Sequence, residues 1–409
     1  MTDPTCVPTP HVGREAAEEW VARHLGGLFS GEPVGSERFR GGQSWADAAL
    51  DACDVAGYAW RRNEVLPESR RGASALSPYI RHGLLPLRRV WDHVGGGPAK
   101  DVSKFRDELL WQEFARHWYA RLGARSRRAT RAVLPSSGAV EAPWSREMAC
   151  MEFVVGELER DGWLVNQTRM WLASDWTIRH DVDWREGEDH FFRHLLDGSR
   201  AANRLGWQWT SGVGSSKPYG FSRWQVNKRS PQLCRGCALR DDCPIEHWPD
   251  EPERVSIDRP PELRRSGPGD LSGPAEVVHD RPVDTVWLTA ESLGDDDPAL
   301  DAHPDAPVVF VFDRRLLTTL QLSAKRLVFL VEALAELAVG RQLDVHVGDP
   351  AEVVSGRAVA VTHAPVPGFA RIAEAVRPAE THPWPWLAPP IDGNVASFSA
   401  WREQIRRPR

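Results

Sequence analysis

What this chain lacks narrows its class at once. In 409 residues no apolar run approaches the ~18 that a membrane span needs, and the opening stretch MTDPTCVPTPHVGREAAEEW has no signal-like apolar core. A cytoplasmic protein with no membrane partner is expected. There is no surplus of positive charge either. With 51 Lys and Arg against 57 Asp and Glu, the net charge is −6, so nucleic acid would have to be met by a local patch. The candidate is Arg125–Arg131 (RSRRATR), although runs of this kind are usually solvated faces. Six cysteines in a reducing compartment argue against a disulfide scaffold. Tyrosine is scarce, at four residues, whereas tryptophan reaches nineteen. Most of those indoles are expected to fill cores. A 41% hydrophobic and 26% charged composition excludes disorder throughout and fits a globular protein of two or three domains.

Period-2 alternation is almost missing from about residue 12 to 247. Three- and four-residue apolar spacing predicts helices over Pro86–His93, Lys104–Leu122 and Glu147–Asp161. In the last, Met148, Met151, Val155 and Leu158 share a face, and Gly162 stands where a C-cap is expected. Residues 1–248 are thus expected to form an all-helical domain. Residues 249–284, rich in Pro, Gly and charge with few apolar anchors, read as a linker. Beyond it, short β-branched runs fall at Thr285–Leu288, Val308–Phe312, Leu343–Val347 and Ala358–Val361. A helix over Ala324–Gly340 separates the second and third, its face made by Leu327, Leu330, Val331, Leu334 and Leu337. Strands alternating with helices predict a parallel, Rossmann-like α/β domain over 285–409.

Between Gly162 and Trp209 the chain concentrates Trp, Arg, Asp and Asn on what read as packed helices, a composition suited to holding something polar, aromatic and buried. The motifs GW-x2-N-x2-RM, DWR-x-GE, LLDG-x2-AAN and GWQW, in this order, resemble the flavin-binding domain of the photolyase/cryptochrome family. The pattern VWL…DDDPAL…APVVFVFDRRLL…RLVFLVEAL…LDVHVGDPAEVV resembles that family's α/β antenna domain, which normally comes first and here follows. The resemblance implies a circular permutation. The family's Arg-Asp-Leu-Arg after the first antenna strand is Thr289–Ser292 (TAES) here, so no antenna chromophore is inferred.

The resemblance implies FAD as cofactor. Gly72–Gly83 (GASALSPYIRHG) is similar to the family's phosphate loop, with Ser74, Leu76 and Ser77 in matching positions; taken alone, such a turn usually only caps a helix. Ala75 and Gln112 replace two arginines of the family, which implies fewer cations near the pyrophosphate. Tyr58 joins the cofactor set. Arg169 and Asp197 match the pair beside the flavin, and Asn203 matches the residue facing its N5, where an amide can donate or accept. Trp207 and Trp184 match the inner members of the family's electron-transfer chain, with Trp144 or Trp224 as candidates for the surface member.

For repair, the resemblance implies damaged DNA as partner, with a pyrimidine dimer flipped against the flavin. Glu108 would hydrogen-bond the lesion, Trp111 and Trp209 would stack on the flipped bases, and Asn166 and Met170 would line the pocket. Val165 and Asn166 stand where the (6-4) branch would place two histidines, which argues against (6-4) repair. Gln167 replaces an arginine usual in dimer repair, which leaves room for a light sensor without repair activity as the alternative. A third reading is an iron–sulfur DNA-binding protein with a vestigial flavin pocket.

Cys234-x2-Cys237-x5-Cys243-Pro244 has metal spacing. His247 could complete a Cys3His zinc site, or Cys150 a four-thiolate [4Fe–4S] cluster. The bacterial family members that carry such a cluster are similar in placing one Cys before GW-x2-N and three after a Ser-Lys-Pro-Tyr segment, here Ser216–Tyr219, and this favours the cluster. Cys6 and Cys53 are spare thiols. A monomer is expected.

Overall fold

The computed structural model of the chain describes residues 5–138 and 141–405. Helices dominate as far as Gly236, and a seven-stranded sheet organises the rest. Its strands are β1 (Cys6–Val7), β2 (Val278–His279), β3 (Thr285–Leu288), β4 (Val308–Asp313), β5 (Leu343–Gly348), β6 (Val359–Thr362) and β7 (Glu380–His382), in the order β1-β5-β4-β3-β6-β7-β2. The five inner strands are parallel; β1 and β2 close the edges antiparallel. Both faces of the parallel part are covered, which is why β3, β4 and β6 read as unbroken apolar runs rather than alternating ones. The Ala324–Gly340 helix is apolar nearly all round and is buried from Ala324 through Ala335 apart from Lys325.

Helix starts and stops follow local chemistry. Asp183 and Ser199 cap the helices Trp184–His194 and Arg200–Ser211 by accepting from Arg185 N (2.9 Å) and Ala202 N (3.4 Å). The Ala149–Asp161 helix ends at Gly162 with φ 63°, the left-handed cap expected, whose N–H bonds Leu158 O. The long Ala99–Leu122 helix begins after Pro98, five residues before the expected start.

Two expectations need correcting. The amino-terminal region is not wholly helical or self-contained: β1 pairs with β5, Phe29–Ser30 pairs with Leu322–Ser323, and the Arg14–His24 helix lies on Ala324–Gly340 with Arg14 Nε 2.9 Å from Glu332 Oε1. These contacts are sequence-distant, so periodicity carries no trace of them. Residues 249–284 also do more than connect. Val255–Ser256 pairs with Ala132–Val133, β2 joins the sheet edge, and Leu263 is buried. The anchoring is largely polar: buried Arg121 donates to Glu262 O and Gly393 O and pairs with Asp270 at 2.8 Å. A search for apolar anchors misses such a tether. No helix of the described residues is long and apolar enough to cross a membrane.

The buried Asp297 caps the Pro298–Ala302 helix, accepting from Ala299 N (3.1 Å), Leu300 N (3.2 Å) and Thr362 Oγ1 (2.9 Å). Burial outweighs these bonds and raises its carboxyl to about 7. A raised acid keeps its proton in the folded state while the unfolded chain loses it, so this group's contribution to stability falls from about pH 4 to pH 7 and is flat above. Asp297→Asn keeps the cap without the charge. Its Tm should exceed that of the native chain at pH 8 by several degrees, with the difference gone at pH 4.5, as read by thermal denaturation at both values.

Candidate functional site

A cavity of about 880 Å³ lies where the carboxyl ends of the parallel strands meet the helices. Leu288 at the end of β3 and Thr289 just after it, Phe312 and Asp313 at the end of β4, Pro350 after β5 and Pro365–Pro367 after β6 form one wall. This is the usual ligand position for an open parallel sheet. The opposite wall collects most of the expected site residues: Tyr58, Ser74, Ser77, Glu108, Trp111, Asn166, Arg169, Met170, Asp197, Asn203, Trp207 and Trp209. Leu76 is not among them; its side chain is buried in the core.

The deep part is rigid and polar. Arg169 makes a bidentate pair with the buried Asp197, at 3.2 and 2.7 Å, while its Nε donates to Leu164 O. Asn203 and Trp207, one turn apart on the Arg200–Ser211 helix, are both buried, and Asn203 Nδ2 and Trp207 Nε1 have no hydrogen-bond partner among the described residues. An unmatched buried donor costs about 1–3 kcal/mol, and two facing one cavity call for a ligand with acceptors. A flavin ring, flat and edged with carbonyls and ring nitrogens, meets that demand.

The thinning of cations expected from Ala75 and Gln112 is offset by Arg81, Arg116, Arg204 and Arg326, all of which line the cavity. Burial pulls the guanidinium pKa of Arg116 and Arg204 down and that of Arg326 down to about 9. An anionic ligand such as a pyrophosphate would reverse that pull. These four arginines come from separate segments, so no single motif announces them. Ser74, Ala75 and Ser77 line the wall, with Ala75 left-handed at φ 57° and Ser77 Oγ accepting from Trp163 Nε1 at 2.9 Å. The helix they open is only five residues long, so its dipole adds little.

The mouth is aromatic and partly open. Trp111 and Trp209 are 37% and 45% exposed. One face of Trp111 is covered by Phe398, stacked at 4.0 Å and 9°. Glu108 pairs with Lys104 Nζ at 2.8 Å and Arg62 Nε at 3.4 Å, so its carboxylate is held at the rim. Burial, and next the Glu108 charge, push the Tyr58 hydroxyl above its usual range. Asn166 and Met170, four residues apart, share a helix face toward the cavity. Gln167 points elsewhere, its Nε2 donating to Tyr219 Oη at 2.8 Å.

Around Trp207 the indole row differs from the expected one. Among the described residues the rings in contact with Trp207 are Phe191 at 5.0 Å and Trp176 at 6.0 Å; Trp176 in turn meets Trp144 at 5.1 Å. Trp184 is buried under the Arg185 guanidinium instead. A π-turn over Asp175–Arg179 aims Trp176 inward, and no sequence period signals such a turn. Trp144 is buried, and the exposed Trp224 pairs with Trp248, so neither is a surface neighbour of Trp207. Gly187 of the DWR-x-GE motif is explained by this packing: a Cβ there would lie 2.1 Å from the Trp207 ring.

Cys150 opens the Ala149–Asp161 helix, and its thiol is raised to about 12 by burial and then by Cys234, Cys243 and Cys237. The four thiols therefore surround one region, with Cys237 Sγ 3.5 Å from Ala149 N. They do not appear among described groups whose ligand atoms all fall within 4.8 Å of one another. A tetrahedral zinc at Zn–S ~2.3 Å would hold sulfurs about 3.8 Å apart. His247 is exposed. Of the basic patch, Arg125 pairs with Glu262 and Arg127 with Asp189, leaving Arg128 and Arg131 exposed.

Residues 105–230 match the family described as the FAD binding domain of DNA photolyase. The deoxyribodipyrimidine photo-lyase of Synechococcus is 30% identical over 192 residues, 42% of this chain and 39% of that protein. The enzyme of the same name from Alkalihalophilus pseudofirmus is 31% identical over 227 residues, 49% of this chain and 45% of the relative. The crystal structure of a bacterial class III photolyase from Agrobacterium tumefaciens aligns at 26% identity and a TM-score of 0.39, over 47% of this chain and 44% of that one. The chain thus spans less than half the length of these relatives. The segment 105–230 is similar to the flavin-binding domain of DNA photolyases, and the relatives that share it are named deoxyribodipyrimidine photo-lyases.

Proposed function

We propose that this protein binds FAD and uses light to reverse cyclobutane pyrimidine dimers in DNA. The observation that carries the reading is the cavity at the strand ends, with arginines and unpartnered donors in its depth and an aromatic, open mouth. Bound in its reduced form, FAD would supply the light absorption and the single, returned electron with which the two cyclobutane bonds are broken, so that no net redox change results. Arg169, Asp197, Asn203 and the arginines at 81, 116, 204 and 326 would hold the cofactor. Asn203 Nδ2 and Trp207 Nε1 would complete their hydrogen bonds on it.

At the mouth, Trp111 would offer its free face and Trp209 the second wall to two unstacked bases. Glu108, held at the rim by Lys104 and Arg62, would hydrogen-bond the base edges, and Met170 would fill the gap between base and wall. Flipping exchanges stacking in the duplex for stacking on these rings, so exposed aromatics are what the step needs. The division of labour we infer is a helical flavin-binding part over 1–248, a tether over 249–284 and an α/β part over 285–409, the permuted order of the family's domains.

The four cysteines are read as ligands of a [4Fe–4S] cluster. The grouping of Cys234, Cys237 and Cys243 around Cys150 supports four thiolates over a Cys3His zinc site. A blue-light receptor without repair is the second reading. It is favoured by Gln167, whose amide is committed to Tyr219 rather than to a phosphate.

The deciding experiment is anaerobic purification followed by illumination with a dimer-containing oligonucleotide. Flavin absorbance with light-dependent dimer loss is expected; flavin photoreduction without dimer loss would move the assignment to the receptor. Glu108→Ala should lower repair yield at least several-fold while flavin content stays unchanged. For photoreduction of the cofactor, Trp176→Phe should slow the rate more than Trp184→Phe, because Trp176 is the indole in ring contact with Trp207. Transient absorption of the tryptophan radical would read the difference, and equal rates in native and Trp176→Phe protein would remove Trp176 from the route.

A further inference from the structure

Four side chains, none of them a cysteine, converge at the β7–β2 edge of the sheet. His303 Nε2 and His382 Nε2 lie 2.7 and 2.6 Å from the same oxygen, Glu380 Oε1, and His279 Nδ1 lies 2.8 Å from Glu380 Oε2. The ligand atoms of His303, Glu380 and His382 all fall within 4.8 Å of one another. We propose that His303, Glu380 and His382 bind a divalent transition-metal ion of the zinc type, with His279 or water as the fourth ligand.

The geometry follows from the backbone. Glu380 and His382 alternate on β7 and so project from one face. His279 sits directly across the antiparallel pair from Glu380. His303 follows the Pro298–Ala302 helix, and its carbonyl is fixed by Arg341 Nη1 at 3.0 Å. The donor set, imidazole nitrogens with one carboxylate, is the one that zinc accepts in three-residue sites with an open position. Zinc at 2.0–2.1 Å from each donor would space these atoms roughly 3.3 Å apart. At the two Glu380 contacts, replacing the shared protons by one ion thus needs an opening of about 0.6–0.7 Å.

Access and purpose both fit. Glu380 and His382 are buried and orient the site, whereas His279 is 55% exposed at the side chain and leaves an entry. The two residues of β2 are both exposed and bury no side chain of their own. An ion bound here would cross-link the end of the 249–284 tether, β7 and the Pro298–Ala302 helix. The competing account is a cluster held by hydrogen bonds alone, with each neutral imidazole donating one proton to Glu380.

The test uses the full chain, purified without an affinity tag, stripped with chelator and titrated with Zn²⁺ against a chromophoric competitor, then with Co²⁺. The expected result is one ion per chain whose cobalt form shows d–d bands without a thiolate charge-transfer band, which separates it from the cysteine site. His382→Ala and Glu380→Gln should weaken that binding by more than about tenfold. Glu380→Gln keeps the side-chain shape, and His279→Ala, at an exposed position, should weaken binding by a smaller factor with the fold intact by circular dichroism. Zn²⁺ should also raise the Tm of the native chain and not of the Glu380→Gln variant. Absence of a nitrogen- and oxygen-ligated ion in the native protein, or binding unchanged across these variants, would overturn the proposal in favour of the hydrogen-bonded cluster.

Discussion

The seam between helices and sheet depends on burying a guanidinium. Arg326, on the helix that backs the sheet, donates to Phe192 O at 3.2 Å and Gly198 O at 3.0 Å, and Arg81 Nε donates to the same Gly198 carbonyl at 2.8 Å. Arg81 is then neutralised by Glu291, 2.7 Å away on the loop after β3. His82, fully buried, spans the same seam between Ala290 O and Leu196 O. The backbones touch as well, since a Cβ on Gly294 would sit 2.2 Å from Gly83 O. Removing one partner from such a set leaves a charge or carbonyl unmatched in a dry place, a loss of several kcal/mol. The LLDG turn that holds Gly198 therefore serves the seam as well as the cavity beside it.

That arrangement makes the cavity electrostatically unusual. Its walls hold several arginines, of which Arg326 has only carbonyls as hydrogen-bond acceptors, and burial disfavours Arg116, Arg204 and Arg326 as cations. The protein carries this strain in a region walled by Phe191, Phe192, Trp207 and Trp287, where the effective dielectric is low and each interaction with an anion is strengthened. A net charge of −6 over the whole chain says nothing of these individual arginines, most of which are matched by a neighbouring carboxylate. Global charge speaks to solubility and long-range steering, whereas cofactor affinity is set within a few ångströms of the phosphates.

Much of this was legible in the residues, and the remainder was hidden for identifiable reasons. The strands at 285–288, 308–313, 343–348 and 359–362 and the helix over Ala324–Gly340 stand out because a buried parallel sheet needs apolar runs and a buried helix an apolar surface. The Arg169–Asp197 pair and Asn203 sit in motifs with fixed spacing. By contrast, the four cavity arginines, the β1 edge strand and the polar anchoring by Arg121 are products of tertiary contact. The histidines at 279, 303 and 382 belong to no local spacing and meet only because β2, β7 and the Pro298–Ala302 helix are neighbours. Trp176 was concealed differently: its neighbourhood reads as an ordinary helix, and a single π-turn changes which way the indole points.

The mouth bears most directly on what the site does. Holding Trp111 and Trp209 partly in water forgoes hydrophobic stabilisation at about 25 cal/mol per Å² of each exposed face. Phe398, from the carboxyl-terminal helix, covers one face of Trp111 and leaves the other free, so the indole is clamped in one orientation rather than simply exposed. Rigid aromatic surface at an opening, backed by a carboxylate tied to two cations, is the form that capture of an unstacked base requires. The mouth therefore presents one fixed aromatic face beside a tethered carboxylate, with the Gln167 amide turned away toward Tyr219.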